Sequence, residues 1–275
     1  MIFPIPSQFN NQSLRAFFTH HHLGRVSSYN LEQAKALFIN GSQATLESIL
    51  HTNDELLILF EAIDKPTHEA VHQPINIVYE DRDLVVVQKE AGILVHSDGN
   101  QGITLSNIVQ AHYHETGIVT RCLHRLDLET TGMVLFSKHL LAHASFTHLF
   151  ESHQMKKEYV CLCEGKFPSA SGVINSPIGR NRHENAQIVS KTGKSALTFY
   201  CVESYNHSIS RLRVEIEGGR RHQIRVHLSS IGHPIVGDTL YGAKHPAPLK
   251  LHFEKITFTH PFTGEVVSVY LPSSF

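Results

Sequence analysis

His124-Arg125-Leu126-Asp127 puts a carboxylate, a guanidinium and an imidazole within four residues. Such groups do acid–base, nucleophilic or ion-pair chemistry once a fold holds them still. The run lies between Ile118-Val119 and Met133-Val134-Leu135-Phe136, apolar stretches that read as buried strands. A loop held by the core at both ends is therefore expected, and loops of that kind carry chemistry. The plain alternative is a surface ion pair between Arg125 and Asp127 on a turn.

Two more constellations bear on that choice. Arg211 to Glu217 alternates like a strand, Gly218-Gly219 turns, and Ile224, Leu228 and Ile231 then follow helical spacing until Gly232 and Pro234. Arg221 and Arg225, four apart, would share a side of that helix, one free to bind phosphate while the other reaches into a site. In Lys156 to Gly165, alternation sends Tyr159, Cys161 and Cys163 to one face and Val160 and Leu162 to the other, so the strand is central. Tyr159 is open to two readings, a core residue or a platform on which a base stacks.

The elements that must position these groups fall into two parts. Residues 1–63 read as a small module: Leu14, Phe17 and Phe18 on one helix face, Leu31, Ala34, Leu37 and Phe38 on another, an Asn40-Gly41 turn, and a closing strand at Leu56 to Phe60. Residues 64–74, aperiodic and bracketed by prolines, read as a linker. In residues 75–275 a hairpin is expected from Ile75–Tyr79 and Leu84–Gln88, a helix from Leu105, Ile108, Val109 and His112, and another from Leu140, Leu141, Ala144, His148 and Phe150. Strands and helices mix without βαβ alternation, which predicts an α+β domain with a largely antiparallel sheet.

Composition narrows the function. The chain has 275 residues, 41% hydrophobic and 18% charged, with no apolar run long enough to cross a bilayer and no secretory signal, so a cytoplasmic protein is expected. Cys122, Cys161, Cys163 and Cys201 lack disulfide or zinc spacing and read as reduced core thiols. The 22 histidines show no metal-ligand spacing; solvated surface histidine is expected, and no metal. Net charge is -1, yet Lys156 to Arg225 holds twelve Lys/Arg against six Glu. A basic third in a neutral chain suits a localised nucleic-acid groove, or simply a solvated face.

His124-Arg125-Leu126-Asp127 with Thr130-Thr131-Gly132, Lys157-Glu158-Tyr159, the run Gly219 to His227, Gly232 to Asp238, and Leu251-His252 with His260 to Glu265 together resemble, in order, the motifs of RluA-type pseudouridine synthases. One departure is Glu90, where that family commonly has proline after the lysine. The module at residues 1–63 resembles the S-four-type RNA-binding domain. That domain normally presents a basic helix, whereas residues 1–70 here hold four Lys/Arg against seven Asp/Glu, so a packing or orienting role stands beside RNA binding.

The resemblance implies a pseudouridine synthase catalytic fold with a mixed, largely antiparallel sheet, and isomerisation of uridine in RNA without cofactor or metal. Asp127, Tyr159 and Arg225 would be catalytic, with Arg225 paired to Asp127. His124, Arg125, Arg220, Arg221, His222 and Gln223 would contact substrate, Arg125 filling the place of a flipped nucleotide or touching a flanking phosphate. Large-subunit ribosomal RNA is the first expected substrate and transfer RNA the second. A non-catalytic RNA-binding or assembly factor is the rival reading. A monomer without obligate protein partner is expected.

Overall fold

The computed structural model describes residues 1–66, 69–97, 99, 102–181 and 186–275. Thr67 and His68 of the expected linker, and Arg182 and Glu184 of the basic segment, lie outside them.

Helix α1 (Leu14–His20) starts at Ser13, whose hydroxyl accepts the Ala16 N–H, and buries Leu14, Phe17 and Phe18. Helix α2 (Arg25–Gln33) buries Leu31 but stops short of Leu37 and Phe38. Lys35 adopts a left-handed conformation (φ 52°) that ends the helix, and Leu37–Ile39 is a strand. Asn40 and Gly41 both take positive φ and close its hairpin onto Ser42–Gln43. With Ile2–Pro4 and Glu55–Ile58 these strands form a four-stranded sheet; Phe60 lies beyond it in a short 3-10 turn.

Ten strands of the described residues form one large sheet. Its main path runs Ser171–Asn175, Leu197–Asn206, Ile209–Glu217, Lys156–Glu164, Leu251–Thr259, Thr131–Ser137, Leu84–Lys89, Ile77–Glu80. Every pairing is antiparallel except Thr131–Ser137 against Leu251–Thr259, so the fold is α+β with a mixed, largely antiparallel sheet. Lys156–Glu164 is central, as its two apolar faces require. The expected strand at Ile118-Val119 is displaced to Arg121–Cys122, and His260 to Glu265 is the turn between the last two strands.

The parallel junction depends on Gly132, whose φ is +122°. A Cβ there would sit 2.5 Å from the Phe253 backbone nitrogen and oxygen. Gly132→Ala is expected to lose about 3 kcal/mol or more, from strain plus overlap. Thermal melts check it; a midpoint within a degree or two of wild type would refute the close approach.

Helix α3 (Leu105–His112) is capped reciprocally by Thr104 and Asn107. Helix α4 (Leu140–Glu151) corrects the single stripe expected of it. Ala142, Phe146 and Leu149 face the large core, while Leu140, Leu141 and Ala144 face the N-terminal cluster of Leu14, Phe17 and Phe18. A helix packed between two cores needs two apolar sides. Asp64, where the linker was expected to begin, is buried and held by Arg121 through Nη1 at 2.7 Å and Nη2 to its other oxygen.

Among the described residues, five histidines expected in solvent are instead buried. His21, His139, His227, His252 and His260 are all at least 95% buried. Each has a partner or ring contact there: His227 between Thr198 Oγ1 and Ser176 O, His252 between Thr131 Oγ1 and Leu271 O, His139 on Asp83, His21 stacked on Phe262, His260 edge-on to Phe146. Of the thiols, Cys161 and Cys163 are buried but Cys201 is exposed.

Burial, with His20 and His22 crowding it, pushes His21 down to about 3; burial, with Lys157 nearby, does the same to His124. The unfolded chain takes up these protons near pH 6.5, the folded chain only far below, so their contribution is full above pH 6.5 and lost as pH falls. The urea midpoint is therefore expected to drop between pH 6.5 and 5, above the range where carboxylates titrate. A flat midpoint there would contradict neutral burial.

Candidate active site

The loop 123–130 joins Arg121–Cys122 to Thr131–Ser137 and is fastened along its length. Leu123 N–H donates to Leu135 O, Thr130 N–H to Asp127 O and Gly92 N–H to Leu128 O. The strongest tie is Lys89, fully buried, whose Nζ donates to Leu128 O and Thr130 O at 2.8 Å each and to Glu90 O at 3.0 Å. Burial pushes its pKa down to about 8, against the opposing pull of Glu129, Asp127 and Glu90. Sequence alone shows Lys89 only as the end of a strand. Glu90, where the family carries proline, supplies one of the three carbonyls, and its carboxylate accepts from Gln88 Nε2.

The loop presents Asp127 beside α5 (Gln223–Ser230). Arg225 Nη1 donates to Asp127 Oδ2 at 3.1 Å, the pairing expected from the resemblance. The other edge of the guanidinium carries a partner that sequence left without a role: Nε and Nη2 bind Asp238 Oδ2 and Oδ1 at 2.7 and 2.8 Å. Burial opposes the arginine's charge, but the bonds to Asp238 and both carboxylate charges outweigh it and raise its pKa. Its place after Gly237, at the end of the Gly232 to Asp238 motif, was the available clue to Asp238.

Tyr159 shares the cavity with Asp127. Its ring stacks on Phe253, centroids 4.6 Å apart and 18° from parallel, at a β-bulge where the register against Leu251–Thr259 slips between Glu158 and Tyr159. Burial first, and Asp127 second, push the hydroxyl's pKa up, so it is a phenol and not a phenolate. Among the described residues no hydrogen bond engages that hydroxyl, and Thr130 Oγ1 in the same wall is buried without a partner.

The remaining expected contacts divide. Exposed Arg125 and Arg220 line the cavity, Arg220 reaching Ser195 O through Nε. Arg221 is exposed and lies before α5, not on it, so it does not share a helix face with Arg225. The helix begins later because His222 takes a left-handed conformation (φ 56°); Ile231, past its end, is 40% exposed. His222 Nδ1 meets Tyr241 Oη at 2.8 Å and its Nε2 lies 3.8 Å from Asp127 Oδ2; burial first, against Asp127, lowers its pKa. Gln223 is buried, its amide donating to Leu197 O and Glu217 O while Oε1 accepts the Arg220 N–H. It braces the turn. His124 does not line the cavity: it lies against Phe150 and Phe253, and Nε2 accepts the Leu135 N–H.

A second cavity of about 390 Å³ lies where the N-terminal residues meet the sheet, and Asp81, Asp83 and His260 in its wall bring ligand-capable atoms within 4.8 Å of one another. Their chemistry does not suit a cation. Asp81 accepts from Tyr79 Oη and two backbone N–H groups, and Asp83 from Arg82 and His139. His260 Nδ1 accepts from Phe262 and Thr263 N–H, which leaves the ring proton on Nε2, facing Asp81 at 3.3 Å. His260 thus turns a proton and not a lone pair toward the site, and both carboxylates are already engaged.

Residues 83–230 match the family model described as RNA pseudouridylate synthase. An uncharacterized RNA pseudouridine synthase of Bacillus subtilis, YhcT, is 36% identical over 85% of this chain and 80% of its own. The ribosomal large subunit pseudouridine synthase D of Vibrio cholerae is 32% identical over 95% of this chain and 86% of its own. Among solved structures, human RNA pseudouridylate synthase domain containing 1 superposes with a TM-score of 0.63 at 26% identity, over 76% of this chain and 87% of that one. No helix of the described residues is long and apolar enough to cross a membrane. With the match spanning the Asp127 loop and the Arg225 helix, the chain belongs to the RluA-type RNA pseudouridine synthases and is an isomerase acting on RNA.

Proposed function

We propose that the enzyme converts uridines of large-subunit ribosomal RNA to pseudouridine, with Asp127 as the group that acts at the sugar. The reaction breaks the N1–C1' bond, turns the base and joins C5 to C1'; C5 loses a proton and N1 gains one, so no oxidant or cofactor is needed. The carrying observation is the Asp127 carboxylate in the cavity wall, one oxygen held by Arg225 at 3.1 Å and the other without a partner among the described residues. A half-held carboxylate keeps one oxygen free to approach C1', either as nucleophile or as the electrostatic partner and base of a glycal route.

The other residues then have defined tasks. Tyr159 sets a ring against the base and offers a neutral hydroxyl, and Thr130 Oγ1 is a second polar atom awaiting a partner. The cavity encloses about 80 Å³, the share of two or three waters at roughly 30 Å³ each. A flipped base therefore enters when the exposed Arg125 and Arg220 swing aside, and Arg125 then fills the vacated stack or meets a flanking phosphate. Arg180, Lys191 and Lys194, exposed on or beside the hairpin strands Ile178–Arg180 and Gln187–Val189, the second of which packs against α5, extend the phosphate-binding side. His124 and Gln223 serve by holding the loop and the turn.

The choice of ribosomal RNA is supported by the relative named for the large subunit, and goes with a cytoplasmic monomer. The test is tritium release from C5-labelled uridine in transcripts of large-subunit ribosomal RNA and of transfer RNA. Release from the ribosomal transcript supports the proposal. Release from transfer RNA alone moves the substrate, and none from either favours the non-catalytic RNA-binding alternative.

A further inference from the structure

We infer that Asp238 is a positioning residue for the reaction: it takes the two-pronged edge of Arg225 so that Asp127 keeps one carboxylate oxygen free for the substrate. The inference rests on the proposed role of Asp127.

A guanidinium opposite a single carboxylate ordinarily forms a two-point pair that occupies both oxygens. Arg225 faces two carboxylates and divides its donors unequally. The Nε–Nη2 edge goes to Asp238 at 2.7 and 2.8 Å, leaving Nη1 alone for Asp127 Oδ2 at 3.1 Å. The exposures match this division: the Asp238 side chain is 1% exposed, that of Asp127 25%. The deeper acid is structural ballast for the arginine; the shallower one meets the cavity.

The turn that carries Asp238 is built to hold it there. Gly237 has φ +83°, and a Cβ on it would fall onto the carbonyl oxygens of Ala247 and Pro248. The Asp238 carbonyl accepts the N–H groups of Tyr241 and Ala243. Tyr241 in turn lies under the guanidinium, its ring centroid 5.1 Å from Arg225 Cζ, and its hydroxyl meets His222 Nδ1 while accepting the Gln187 N–H. Asp238 and Tyr241, neither of them in the cavity lining, thus hold Arg225, and His222 in the cavity wall ties Tyr241 to the site.

The charges add a second consequence. Because one guanidinium is shared between two carboxylates, it offsets the Asp127 charge less than an exclusive pair would. Breaking N1–C1' develops positive charge at C1', which a nearby carboxylate favours in a partly dry site. Without the Asp238 charge, the Nε–Nη2 edge can turn onto Asp127 and close off its second oxygen.

Asp238→Asn keeps the shape and removes the charge. Its kcat for tritium release from ribosomal RNA is expected to fall roughly 100-fold, a loss of the size that small misplacements of reacting groups produce, with KM within about threefold because no RNA contact is removed. Asp238→Glu should recover part of the kcat. Independently of turnover, the Arg225 Nε–H resonance, assigned by its loss in Arg225→Lys, should shift and exchange faster with solvent in Asp238→Asn. A kcat within twofold of wild type, a change confined to KM, or an unmoved Arg225 resonance would overturn the inference. Wild-type protein that releases no tritium from any RNA would sink the proposed role of Asp127 instead, and the resonance would still decide whether Asp238 orients Arg225.

Discussion

Asp127→Asn is expected to lower single-turnover tritium release from C5-labelled RNA by on the order of 10³-fold or more, the scale set by removing a preorganised charge at a reacting centre. The loss should be in chemistry and not in folding. Arg225 keeps its two-point partner Asp238 when Asp127 is neutralised, so no buried guanidinium is stranded. Asp127 is a quarter exposed and shares only one hydrogen bond with the arginine, so the stability change should stay within about 1 kcal/mol. RNA affinity should also hold, since the phosphate contacts we propose are made by Arg125, Arg220 and the hairpin. A variant that keeps a tenth of the wild-type rate would remove Asp127 from the chemistry.

Lys89→Met is expected to have the largest effect on stability. The side chain is fully buried and satisfies three carbonyl oxygens, two of them in the catalytic loop. Methionine fills the space but strands Glu90 O and Thr130 O and leaves Leu128 O with only the Gly92 N–H. Uncompensated buried acceptors together with the loss of a charge-assisted network correspond to roughly 3–5 kcal/mol. Because Leu128 and Thr130 flank Asp127 closely, activity should fall further than the folded fraction does. Urea unfolding and the rate of the folded protein, measured separately, check both statements; a midpoint equal to wild type would mean the loop does not depend on Lys89.

Much of the framework was legible because its signals are local. The Asn40-Gly41 hairpin, the helix carrying Leu105, Ile108 and Val109 and the two apolar faces of Lys156–Glu164 each follow from a few neighbouring residues and a known period. The Asp127–Arg225 pair, 98 positions apart, was not local and came from resemblance, not from spacing. What escaped the sequence depends on contacts between distant segments. Lys89 reads as a strand end because its acceptors are backbone carbonyls, which every residue has. Helix α4 shows one stripe where the fold uses two, since a second core on residues 1–63 covers its other side.

The errors have the same origin. Arg221 and Arg225 match helical spacing, but His222 adopts a left-handed backbone that no periodicity reveals, so the helix starts between them. His124 sits inside its motif yet lies off the cavity, its Nε2 on the Leu135 N–H, whereas Gln223 does line the cavity while its amide donates to Leu197 and Glu217. Histidines expected in solvent are buried because hydroxyls, carbonyls and Asp83 meet them inside. The N-terminal residues, acidic where an RNA-binding helix would be basic, share Leu141 of α4 with their own core and tie Asp64 to Arg121, which suits a brace for the strand that leads into the Asp127 loop.

The most direct measurement is a pseudouridine map of large-subunit ribosomal RNA from cells lacking this protein, complemented with the wild type or with Asp127→Asn. Loss of specific pseudouridines on deletion, restored by the wild type and not by Asp127→Asn, is the expected result. An unchanged map on deletion would contradict the ribosomal assignment, and restoration by Asp127→Asn would contradict the chemistry assigned to the carboxylate.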